Sequence, residues 1–129
     1  MIKATCEYGV TTAPPPSMNT DQMDGWTVVL RNGRRRMTVP FYMGMGRNGA
    51  EPTAAEVLNC LCMDAAGLEN AHTFEEWAAE YGYDEDSRTA EATFRLVERS
   101  TRRLRQFLGD DFKALIYADE DDIARRCAA

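Results

Sequence analysis

The chain has 129 residues, 44% of them hydrophobic and 28% charged, with a net charge of −6. That length supports one hydrophobic core rather than two full domains, and the composition is globular rather than disordered. No apolar run approaches the ~20 residues of a bilayer span, and the opening MIKATCEYG lacks the apolar centre of a signal peptide, so a cytoplasmic protein without membrane contact is expected.

Charge is divided unevenly along the chain. Residues 1–50 carry six Lys/Arg against three Asp/Glu, whereas residues 51–129 carry nine against eighteen. The four cysteines, Cys6, Cys60, Cys62 and Cys127, accompany a single histidine, His72. Cys60 and Cys62 fall in a helical pattern, where residues two apart point in nearly opposite directions. Zinc sites instead draw paired cysteines from a turn with at least two residues between them, so reduced structural thiols in a reducing compartment are expected, with no metal and no cofactor.

In chain order, residues 1–8 read as a strand, and residues 10–24, with Pro14-Pro15-Pro16, read as a loop excluded from a central ladder. Residues 26–31 and 34–40 alternate as strands around Asn32-Gly33, a two-residue turn signal, giving an antiparallel hairpin over residues 25–40. Alternation places Trp26, Val28 and Leu30 on one face, with Thr27, Val29 and Arg31 on the other. The segment FYMGMGRNGAEP is irregular because three glycines fall within six residues.

Helices follow. Thr53-Ala54-Ala55-Glu56 is a capping box opening a helix that buries Val57, Leu58 and Leu61 and ends near Gly67. A second box, Thr73-Phe74-Glu75-Glu76, opens a short helix with Phe74, Trp77, Ala78 and Tyr81 as its packing face, stopped by Gly82. Ala90, Phe94, Val97, Thr101, Leu104 and Leu108 recur at three- and four-residue steps, so the longest helix runs from Asp86 or Ser87 to Leu108 and stops at Gly109. Asp110 is placed to cap a last short helix burying Phe112, Leu115 and Ile116. The expected fold is α+β: a small antiparallel sheet packed against three to four helices in one domain over residues 1–117, with residues 118–129 a flexible acidic tail.

No segment carries a catalytic motif. The glycines of Gly44-Met45-Gly46-Arg47-Asn48-Gly49 lack the Lys-Ser/Thr of a phosphate-binding loop, and His72 has no recognisable nucleophile beside it. The densest charge is carboxylate: Glu75, Glu76, Glu80, Asp84, Glu85, Asp86 and Glu91 lie across the two helix starts with little positive relief. Their spacing does not match a calcium loop, and acids at helix N-termini favour the helix dipole. Pairs four apart, Glu91 with Arg95 and Glu98 with Arg102, are expected on the long helix. Arg34, Arg35 and Arg36 form an alternative, basic contact at the hairpin, although the overall charge argues against direct nucleic-acid binding.

With these elements in place, Pro40-Phe41-Tyr42-Met43-Gly44, Pro52-Thr53-Ala54-Ala55-Glu56-Val57-Leu58-Asn59-Cys60-Leu61, Phe74-Glu75-Glu76-Trp77 and the run from Tyr83-Asp84-Glu85-Asp86 to Ser87-Arg88-Thr89-Ala90-Glu91 resemble a family of small uncharacterised proteins common in bacteriophages and integrated mobile elements. The resemblance spans roughly residues 25–110 and carries no catalytic or binding residues with it. It implies a non-enzymatic accessory protein that binds and inhibits a host protein complex, including anti-CRISPR or other counter-defence activity against a CRISPR effector. In that expectation the seven carboxylates form the contact, by presenting negative charge to a basic groove. Alternatives are a phage-encoded enzyme or nucleic-acid-binding modulator using His72 and neighbouring carboxylates, and an accessory protein that self-associates through Trp26, Phe41 or Tyr42.

Overall fold

Apolar matching sets the sheet. The computed structural model describes residues 1–11, 23–42, 50–71 and 73–128. Strands β1 (Lys3–Thr11), β2 (Met23–Asn32) and β3 (Arg35–Tyr42) form an antiparallel sheet in the order β1-β2-β3. The hairpin loop is Gly33-Arg34, one residue later than Asn32-Gly33, and Gly33 takes φ 62° as its first residue. The shift aligns Leu30 with Met37, Val28 with Val39 and Trp26 with Phe41. A loop one residue earlier would set Leu30 opposite Arg35, so cross-strand apolar pairing selects the observed register. β1 starts and ends later than residues 1–8, because its Val10 and Thr11 pair with Asp24 and Met23 of β2. The Pro-rich residues and the glycines 44–49 lie outside the described residues.

Helix α1 (Ala54–Asn70) begins as expected, the Thr53 hydroxyl oxygen accepting from the Glu56 backbone N–H at 3.2 Å. It runs through Gly67 to Asn70 rather than stopping there. Gly67 serves packing, not termination: a Cβ at that position would collide with the Tyr81 hydroxyl. α2 (Phe74–Glu80) is capped by Thr73 and closes at Gly82, φ 75°, where Tyr83 N–H donates to the Ala78 carbonyl at 2.8 Å in a Schellman closure. α3 (Arg88–Leu108) is capped by Ser87 and ends at Gly109, φ 59°. Asp110 caps nothing; the chain turns through a 3₁₀ step, Gly109–Asp111, directly into α4 (Phe112–Ile116), which has no side-chain cap.

The segment expected to be a flexible tail instead folds back on the core over its described residues, 118–128. α5 (Glu120–Arg125) is capped by Asp119, whose Oδ1 accepts from Asp122 N–H at 2.8 Å, and Ile123 is buried in the main core. Cys127 bridges Ile2 in parallel, with Ile2 N–H donating to the Arg126 carbonyl and Ala128 N–H to the Ile2 carbonyl, both at 2.8 Å. The core therefore joins Ile2, the inward face of the sheet, α1, the C-terminal half of α3, α4 and α5. A second cluster, Ala71, Trp77, Ala78 and Phe94, fastens α2 to the N-terminal half of α3. The protein is an α+β fold, with helices against one face of an antiparallel sheet.

Candidate functional site

The corner between α2 and α3 gathers part of the predicted acidic set. Aromatic packing holds the corner: Phe74 meets Phe94 at 5.4 Å between ring centroids, Trp77 meets Phe94 at 5.3 Å, and Tyr83 stacks on Trp77 at 5.2 Å. Those contacts fix α2 and the connecting turn against α3. Glu75 from α2, Glu85 from the turn and Glu91 from α3 consequently line one open depression of about 570 Å³, together with Glu98 and Arg95.

Glu98 was assigned only to a helix ion pair by sequence, yet its step of seven from Glu91 returns it to the same helix face. Arg95 bridges both acids, at 3.9 Å to Glu91 and 2.6 Å to Glu98, so Glu98 pairs three residues back rather than forward with Arg102. Four carboxylates and one guanidinium leave the depression negative. The remaining acids divide by role. Asp84 accepts from Asp86 N–H at 3.0 Å through its side chain and from Ser87 N–H at 3.0 Å through its carbonyl, shaping the turn into α3. Glu76, Glu80, Asp84 and Asp86 do not line the depression.

On the opposite flank of α3 lies an apolar cleft of about 400 Å³, walled by Phe41, Leu61, Trp77, Tyr81, Leu96 and Val97 among others. Tyr81 is 50% exposed, and Tyr83 and Leu96 each 36%, an unusual show of large apolar groups. Sequence periodicity assigned Trp77 and Tyr81 to packing alone; the signal for a cleft was the excess of aromatic residues around one short helix. Asp64 stands at its edge, where loss of water to the apolar walls raises its carboxyl above the usual range.

The described thiols are not poised as nucleophiles. All four cysteines are free thiols, and burial pushes Cys62 up to about 12, with Cys6, Cys60 and Cys127 also raised mainly by burial. Thiols so raised stay protonated near neutrality and are poor nucleophiles. Among the described residues no cluster of three or more His, Cys, Asp or Glu is placed to hold a metal ion, and no helix is long and apolar enough to cross a membrane. His72 lies outside the described residues.

Strand alternation splits the basic trio. Arg36 stands on the exposed face opposite Arg31, and Arg34 is in the turn. Arg35 shares the face of Met37 and folds over Gly109, where a Cβ would strike its guanidinium. A cation there complements the carbonyls at the end of α3. Compared with protein-family models, curated proteins and solved structures, the chain matches none.

Proposed function

We propose that this chain is a non-enzymatic binding protein that docks on a basic groove of a host protein complex through its acidic α2–α3 corner. The observation that supports this reading is the convergence of Glu75, Glu85 and Glu91, from three successive pieces of chain, with Glu98 around one depression. Carboxylates on a fixed surface steer encounter with a cationic groove and penalise acidic partners, while the apolar groups near them supply contact area. The resemblance of residues 25–110 to small phage proteins supports reading the chain as a phage-type inhibitor inside the host cell, with counter-defence targets such as a CRISPR effector.

The test is capture of partners by the tagged protein from lysate of its natural host, with and without nuclease, followed by affinity measurement on the complex recovered. Replacing Glu75, Glu85 and Glu91 together by lysine is expected to weaken binding by tenfold or more, on the order of 1.4 kcal/mol, with the circular dichroism spectrum unchanged. Undiminished affinity would remove the acidic corner as the contact. Self-association receives less support at Phe41, buried in the core, and at Trp26, half-buried against the Tyr8 ring at 5.1 Å, while the side chain of Tyr42 lies outside the described residues.

A further inference from the structure

The register of the sheet builds a second charged surface. Lys3 of β1 is directly opposite Arg31 of β2, and Arg31 is directly opposite Arg36 of β3, so the three exposed side chains cross the sheet in one row on the face turned away from the helices. Neighbouring strands lie about 4.8 Å apart, which sets three positive charges within roughly 10 Å. Directly opposed like charges are unfavourable in a sheet. None of the three forms an ion pair with an acid among the described residues.

The surroundings of the row select its partner. The next row on this face is Thr5, Val29 and Thr38, placing hydroxyl groups on both outer strands beside the cations. Among the described side chains of the face there is no aromatic ring; its apolar members are half-buried Val29 and exposed Pro40, and one carboxylate, Glu7, lies two rows from the cations. A protein interface draws its affinity from buried aromatic or aliphatic anchors, which the described side chains of this surface do not offer. Phosphate oxygens need only what is present, guanidinium and ammonium groups with hydroxyl donors nearby. With no ring among the described side chains to stack on bases, the contact is to the backbone and independent of sequence.

We infer that the Lys3–Arg31–Arg36 row binds the phosphate backbone of a nucleic acid duplex. The net charge of the chain opposes this only at long range, because charges beyond about 8 Å are largely screened at physiological salt. The site is separate from the acidic corner, so the protein presents a phosphate-binding face and a phosphate-mimicking one.

The inference is tested with purified protein and a short fluorescently labelled DNA duplex, by anisotropy across a salt series. Three neutralised phosphates give a slope of log K against log salt of about −3, so raising salt from about 50 to about 200 mM weakens binding on the order of 40-fold. The variant Lys3→Gln/Arg31→Gln/Arg36→Gln is expected to abolish binding at low salt while keeping the circular dichroism spectrum. Glu75→Gln/Glu85→Gln/Glu91→Gln is expected to bind at least as tightly as the unaltered protein. Absence of duplex binding by the unaltered protein at low salt, or equal binding by the Lys3/Arg31/Arg36 variant, overturns the inference. Loss of self-association in that variant, with no duplex binding by either protein, would assign the row to a second copy and overturns it as well.

Discussion

Thr101 carries the one described hydroxyl that is buried with no hydrogen-bond partner. A helical threonine commonly satisfies itself on the carbonyl four residues back, as Thr93 does on Thr89 at 2.8 Å, but Thr101 does not. Thr101→Val exchanges that hydroxyl for a methyl of the same shape. The expected gain is about 1 kcal/mol, and thermal denaturation should rise by about 4 °C. A lower melting temperature would mean the hydroxyl has a partner. Residue-level reading of the sequence succeeded where local geometry decides, as at the Thr53 and Thr73 caps and at the positive-φ stops Gly82 and Gly109. It failed at Gly67, because a glycine symbol does not say whether left-handed backbone or an absent Cβ is being used. Only the distant Tyr81 reveals which.

At the scale of elements, α5 is the part least legible in advance. ADEDDIARRCAA offers one large apolar residue, too few to show a period, and its burial depends on Ile2, more than a hundred residues earlier. Asp119 caps it, but a cap without an apolar face gives no reason for a helix to stay. Burying Ile123 is worth about 1.5–3 kcal/mol, and the two backbone bonds to Ile2 add roughly 0.5–1.5 kcal/mol each. Truncation after Tyr117 should therefore cost about 3 kcal/mol or more and lower the urea midpoint by 1 M or more at an m-value of about 2 kcal/mol/M. A mobile tail would leave the midpoint in place. The acidic site was legible to the same degree as its elements: both helix starts were placed, so Glu75, Glu85 and Glu91 were in the expected set. Which of the seven acids share a surface depended on aromatic stacking across the α2–α3 turn, which no spacing rule encodes.

Across the whole molecule, the basic first part of the chain forms the sheet and the acidic remainder forms the helices, so the charge imbalance in sequence becomes two faces in space. The basic trio read from sequence is not the basic surface. Arg35 turns away, and Lys3, unremarkable in a strand of mixed residues, takes its place through β1–β2 register. The row carries a stability cost that salt should relieve. Arg31→Thr is expected to stabilise the fold by about 0.5 kcal/mol at low salt, a gain that disappears as the Debye length shrinks to about 3 Å near 1 M. Equal stability of the two proteins at low salt would show that the cations do not repel. The Ile2–Cys127 bridge has a consequence for synthesis on the ribosome. Ile2 emerges well ahead of its backbone partners and meets Arg126 and Ala128 only after nearly all the other described residues have been translated. β1 can pair with β2 early, yet its outer end stays unsealed until then, so nascent chains stalled before α5 should remain open to proteolysis near Ile2.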